Sequence, residues 1–133
     1  YIILIDCGMT KKEIPAYIYE KIPCVIQDSR YKKDAINIVY GAGDYGDRAY
    51  NLLDGDILFY IDSNKNLQGS KVNGIEVKSL QDSINYIGEN TNVIIALSQE
   101  KIYDVVCKFH ENNVLSYITY NYLEQQFEGG KYK

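Results

Sequence analysis

The chain has 133 residues, 46% of them hydrophobic and 24% charged, with a net charge of −4 at neutral pH. A chain of this length is one domain and buries enough surface to fold without metals or disulfides. Its Lys and Arg residues are scattered, as in the short pairs Lys11-Lys12 and Lys32-Lys33. That excludes a nucleic-acid surface, which needs clustered cations, and no apolar run approaches the roughly 18 residues of a membrane span.

The N-terminal quarter, 1–34, reads as a short α/β appendage. Residues 2–5 form an apolar β-branched run suited to a strand. Thr10 is placed to cap a helix over 11–21, with Glu13 as its reciprocal partner, and Pro23 stops it. CVIQD, 24–28, is a second short apolar run, and the polar SRYKKD, 29–34, marks the boundary of the appendage, 1–34. The opening YIILIDCG is too short for a secretory signal and lacks a basic start. With Tyr1 in first place, the chain is expected to be a domain of a longer protein. Cys7, Cys24 and Cys107 have no C-x-x-C spacing and read as reduced, packed thiols of a cytoplasmic protein.

From Ala35 strands and helices alternate. INIVY, 36–40, is a continuous apolar run, as in a strand covered on both faces. A helix follows from about Asp44 to Leu53, closed by Gly55, with Ala49, Leu52 and Leu53 on one side. DILFYID, 56–62, is the second strand, and NGIEV, 73–77, is an extended excursion after an Asn-Gly turn. Ser79 is placed to cap a helix through about Ile87. NVIIALS, 92–98, is the third strand. The helix over 99–111 places Ile102, Val105, Val106 and Phe109 at helical spacing. Asn112-Asn113 ends it, VLSYITY, 114–120, is the fourth strand, and NYLEQQF gives a last helical turn. Residues 129–133 are a tail. This order predicts an α/β fold over 35–128: a three-layer, Rossmann-like parallel sheet with helices on both faces.

The stretch GAGDYG, 41–46, follows a strand, opens a helix, and has an acid about 20 residues on at the end of the next strand. Gly41 suits the tight turn, Gly43 lets the backbone approach a pyrophosphate, and Gly46 lets helix and strand pack closely. Asp62 is placed to accept from ribose hydroxyls and to repel a 2′-phosphate, which favours NAD over NADP. Against an anion at this helix start stand Asp44, whose carboxylate is placed to cap the helix itself, and Asp47. The glycines then either hold a dinucleotide or serve only the turn and its packing.

The pattern GAGDYGDRAYNLL, ILFYIDSNKNLQGSKVNGIEVKSL and VIIALS resembles the nucleotide-binding Rossmann module of bacterial polysaccharide biosynthesis proteins. Similar modules occur in sugar-nucleotide epimerase/dehydratase-like proteins, at the front of sugar acyltransferases, and in CoA-binding and redox-repressor domains. The resemblance spans residues 35–120. It implies a nucleotide cleft lined by the glycine loop (Gly41, Gly43, Asp44, Tyr45, Gly46), by Asp62 and Ser63 after strand two, and by Leu97 and Ser98 after strand three. It implies NAD as ligand, with a nucleotide-sugar or CoA as alternatives.

A catalytic set is not legible. The Tyr-x-x-x-Lys pair of extended epimerases and dehydratases has one match, Tyr17 to Lys21, on the wrong side of the glycine loop. His110 suits a helix C-terminus, Asp54 and Asp56 flank Gly55 as turn residues, and no His, Cys or Asp cluster has metal spacing. Ser98 either touches ligand or caps the following helix. Tyr45, Tyr50, Tyr117, Tyr120 and Tyr122, among 14 tyrosines, are either half-buried packing or an interface for a partner or a second copy of the chain. Two main readings stand. One is a nucleotide-binding domain, not catalytic alone, from a protein of cell-surface carbohydrate synthesis, with any acid and base residues outside this chain. The other is an interaction or regulatory module with the fold but no dinucleotide. A fragment of a sugar-modifying transferase is a third possibility.

Overall fold

The computed structural model describes residues 26–128 and 131–132. The strand expected at 2–5, the helix at 11–21, Cys7, Cys24 and the Tyr17–Lys21 pair lie outside them.

The elements, in chain order, are β1 (Ile36–Tyr40), α1 (Asp44–Leu52), β2 (Phe59–Ile61), β3 (Lys71–Val72), β4 (Ile75–Lys78), α2 (Leu80–Ser83), a 3₁₀ turn (Ile84–Tyr86), β5 (Thr91–Ile95), α3 (Gln99–Glu111), β6 (Ile118–Thr119), α4 (Tyr120–Gln125), β7 (Phe127–Glu128) and β8 (Lys131–Tyr132). The first six strands form one sheet in the order β3-β4-β2-β1-β5-β6. Its pairs are parallel except for the β3–β4 hairpin, so the fold is α/β. That hairpin turns on Asn73 and Gly74, both at positive φ, the conformation of a two-residue Asn-Gly turn.

Within β1 the run Ile38–Tyr40 is apolar without a break because both sides of the strand are packed. Ile38 and Tyr40 join Phe59, Ile61, Val93 and Ile95 in a cluster with Ile102, Val105, Val106 and Phe109 of α3. Val39 joins Tyr60, Ile94 and Ala96 in a second cluster with Ala49 of α1, Leu53 and Leu123 of α4. Alternate residues of each strand thus divide between the clusters, as the two-residue period of a pleated strand dictates.

Several expected elements come out shorter: of DILFYID, 56–62, only Phe59–Ile61 is strand, and of NVIIALS, 92–98, the strand ends at Ile95. The strand expected at 114–120 pairs only at Ile118 and Thr119. The Val114 amide is taken by the Phe109 carbonyl in the turn that closes α3, and the Tyr117 carbonyl accepts from Ser29 instead. The helix expected from Ser79 to Ile87 is capped by the Ser79 hydroxyl on the Asp82 amide. It gives way to a 3₁₀ turn at Ile84, just after Ser83 bonds back to the Ser79 carbonyl, a side-chain bond that competes with helical pairing. Asp54 and Gly55, both at positive φ, close α1 as turn residues.

The part of the expected appendage that the structure describes, 26–34, lies on the sheet. Ser29 donates to the Tyr117 carbonyl at 2.8 Å, and Asp28 accepts from the Thr119 hydroxyl at 3.1 Å and from the Thr119 amide. Two of these bonds occupy the Thr119 amide of β6 and the Tyr117 carbonyl just before it, along the outermost strand of the sheet among the described residues. Tyr31 is buried, with its ring 5.3 Å from Phe127 and 5.1 Å from Tyr132. Of the expected tail, Lys131 and Tyr132 pair with β7 as a small antiparallel hairpin.

Burial pushes the Asp28 carboxyl above the usual carboxylate range, against the lowering effect of its bonds to Thr119. A folded-state value above the unfolded one means that the native state holds the proton more tightly. Asp28 therefore costs stability at neutral pH, and the cost fades as pH falls through the folded-state value towards the unfolded one. Asp28→Asn keeps an acceptor for the Thr119 amide. It is expected to raise the urea midpoint at pH 7 and to converge with the parent below about pH 4, where the unfolded carboxyl is also protonated. A lower midpoint for the variant at pH 7 would contradict this account.

Candidate functional site

β1 has β2 on one side and β5 on the other, so the chain leaves it in one direction through α1 and returns on the opposite side. In open parallel sheets the crevice outside the carboxyl ends of the strands at such a reversal is the preferred ligand site. Here it lies beyond Tyr40 and Ile95.

The glycine loop is held from below. Gly41, at φ +113°, donates to the Ile61 carbonyl at 2.7 Å, and an added Cβ there would lie 2.3 Å from the Ala96 carbonyl oxygen. At Gly46 an added Cβ would lie 2.1 Å from the Gly41 carbonyl oxygen. The first turn of α1 thus rests directly on the loop backbone. Gly43, by contrast, has open space where a side chain would stand.

Asp62 is fixed by the loop that it faces. One carboxylate oxygen accepts from the Ala42 amide at 3.0 Å, and the other accepts from the Asn64 amide at 2.9 Å. Each oxygen keeps lone-pair capacity for a further donor. Beside it Tyr40 hydrogen-bonds Ser63, and burial, with the nearby Asp62 charge, raises the Tyr40 pKa above the ordinary phenol value. Tyr40 is therefore a neutral hydroxyl throughout the physiological range.

These groups open onto a cavity of about 330 Å³ lined by Tyr40, Gly43, Asp62, Ser63 and Leu97, and by Lys101, Asp104, Val105 and Lys108 of α3. Gly43, Asp62, Ser63 and Leu97 of the residues singled out in the sequence are thus brought together at one cavity. Gly41 and Gly46 shape the loop without lining the cavity. Asp44, Tyr45 and Ser98 also stand outside the lining. Tyr45 packs edge-on against Tyr120 at 6.1 Å, with the Arg48 guanidinium over its ring at 4.7 Å. Ser98 occupies the N-cap position of α3, but its hydroxyl makes no capping bond.

Sequence reasoning missed Tyr40 and the α3 stripe. Lys101, Asp104, Val105 and Lys108 follow i, i+3, i+4, i+7 spacing, the signature of one helix face, so the stripe was legible once Leu97 was placed at the cleft. Asn73 was missed as well. Its side-chain amide donates to Asp47 at 2.9 Å and to the Tyr60 hydroxyl at 3.0 Å, which ties the β3–β4 turn to α1. The Asp44 carboxylate makes no hydrogen bond or ion pair among the described residues.

The tyrosines largely serve the interior: Tyr117 and Tyr120 are buried and Tyr45 and Tyr50 pack against the α1 cluster, whereas Tyr122 is exposed. His110 is exposed at the end of α3, 6.4 Å from the Tyr117 ring. Among the described residues no His, Cys, Asp or Glu group could hold a metal ion, and no helix is long and apolar enough to cross a membrane.

No protein-family model matches the chain, and no curated protein matches it.

Proposed function

We propose that the chain is a Rossmann-type, three-layer domain that binds a nucleotide in the cleft between the Gly41–Gly46 loop and α3. The ligand class is NAD, a nucleotide-sugar or CoA. By the resemblance of its glycine-loop pattern, the parent protein acts in bacterial polysaccharide or sugar-nucleotide synthesis in the cytoplasm. Any acid and base residues of a reaction are then supplied by other parts of that parent.

The observation that carries this reading is the Asp62 carboxylate. It is oriented by the Ala42 and Asn64 amides at the wall of a cavity that also contains Gly43. A carboxylate held in this way is preorganised to accept from ribose hydroxyls, so little ordering cost remains at binding.

The test is a thermal-shift panel with NAD, NADH, CoA and UDP-sugars on the parent and on Gly43→Ala. A ligand at 100 times its dissociation constant adds about 2.7 kcal/mol, a Tm rise of several degrees in a domain of this size. The added methyl meets nothing in the protein and costs about 1 kcal/mol or less as a poorer N-cap, but it projects from a residue that lines the cavity. The expected result is a Tm rise with one ligand class in the parent and its loss in Gly43→Ala.

One observation favours an interaction module instead. The unpartnered Asp44 carboxylate stands in the first turn of α1, where it opposes an anion. A flat panel for both the parent and Asp44→Ser would select that reading.

A further inference from the structure

Two ends of the cleft compete for the charged part of a nucleotide, and their charges differ. At the amino end of α1 stand Asp44 and Asp47. The nearest cation on that helix, Arg48, lies over the Tyr45 ring. Asp47 accepts a hydrogen bond from the neutral side-chain amide of Asn73 rather than from a cation, and Asp44 has no partner among the described residues. Two carboxylates in the first turn oppose the helix dipole that would otherwise attract a phosphate.

Across the cavity the balance is reversed. Lys101 and Lys108 lie on one stripe of α3, both exposed at the cavity wall, with buried Val105 between them as floor. Neither ammonium makes an ion pair among the described residues, and one carboxylate, Asp104, stands between them. The α3 face therefore carries a net positive charge. The Asp62 charge opposite is already shared by two backbone N–H groups. At about 330 Å³ the cavity is near the lower end of the range for ligand sites, which suits one nucleoside unit better than two.

Resting on the nucleotide reading above, we propose that the cleft takes a single nucleoside phosphate, with its ribose on Asp62 and its phosphate on Lys101 and Lys108 of α3. The glycine loop then supplies the shape of the cleft floor, and the α1 amino end is left without a phosphate. Ammonium–phosphate contacts at a solvent-open wall weaken with salt, so affinity for the phosphate form falls as ionic strength rises.

The experiment is calorimetric titration at low ionic strength with two matched pairs, adenosine and AMP, uridine and UMP. The proteins are the parent, Asp44→Asn and a double variant carrying Lys101→Gln and Lys108→Gln. All three positions are exposed or partly exposed, and the Tm of each variant checks its folding. For the base that fits, the monophosphate is expected to bind about tenfold more tightly than the nucleoside, the scale of one or two charge-assisted bonds. The double lysine variant should bring the monophosphate down to the nucleoside's affinity, and Asp44→Asn should leave the gap in place. If nucleoside and monophosphate bind the parent equally well, the lysine assignment is overturned and the nucleotide reading stands. If the gap survives the lysine substitutions and widens in Asp44→Asn, the phosphate sits at α1 and the assignment is likewise overturned. If no member of either pair binds, both readings fall.

Discussion

Gly41→Ala is expected to lower Tm by about 10 °C or more, the result of a destabilisation of about 3 kcal/mol in a domain of this size. Two effects combine. Gly41 sits at φ +113°, and a side chain in a sparsely populated backbone region costs about 1–3 kcal/mol. Its Cβ would also stand 2.3 Å from the Ala96 carbonyl oxygen. That atom is backbone of the segment leaving β5, so it has no rotamer by which to move aside, and overpacking of this kind costs about 1–3 kcal/mol more. Gly46→Ala should be comparably severe, because its Cβ would lie 2.1 Å from the Gly41 carbonyl oxygen. Both substitutions strain the Gly41 backbone, so the double variant should lose less than the sum of the singles. Gly43→Ala is the internal control, with open space at its Cβ position. Denaturant midpoints for the three variants test the series. A Gly41→Ala midpoint equal to that of Gly43→Ala would mean that the loop is not packed in this way.

Asn92→Ala is expected to cost about 3 kcal/mol, since each buried polar group left without a partner costs about 1–3 kcal/mol. Asn92 is buried at the start of β5. Its side chain accepts from the Lys32 amide at 2.9 Å and donates to the Lys32 carbonyl at 2.8 Å and to the Asn37 side-chain oxygen at 2.9 Å. Asn37 in turn donates to the Asp56 carbonyl at 2.9 Å. The network fastens the segment before β1 to the amino end of the sheet, away from the cleft. Hydrogen exchange at the Lys32 and Ser29 amides should therefore accelerate, while ligand affinity of the folded variant should hold. A cost below about 0.5 kcal/mol, the range of ordinary surface changes, would show that the network does not carry this load.

The alternation of elements from Ala35 onward is legible along the chain, because each element leaves a local periodicity. Ile102, Val105, Val106 and Phe109 show the 3.6-residue period of α3 and are all buried. The apolar runs Ile38–Tyr40 of β1 and Val93–Ile95 of β5 show that both of their sides are covered. Ser79, Asp54, Gly55 and Asn73-Gly74 announce caps and turns through chemistry that acts within a few residues. The glycine spacing likewise marked the loop, and Gly43, Asp62, Ser63 and Leu97 do meet at one cavity.

Features that depend on contacts between distant residues leave no such local mark. The Asp62 carboxylate closes on the Ala42 amide 20 positions away. Asn73 reaches 26 positions back to Asp47, and Asp28 reaches Thr119 across 91. No local pattern encodes those distances. The strand at Ile118–Thr119 is short because distant Ser29 and the turn after Phe109 claim its neighbours' backbone groups. The charge of the cleft was hidden for the same reason. Lys101 and Lys108 read as an ordinary solvated helix face, and only the packing of α3 on β1 and β5 turns that face towards Asp62. Periodicity acts along the chain and is written in it, whereas the pairing of one surface with another is fixed only when the chain has closed on itself.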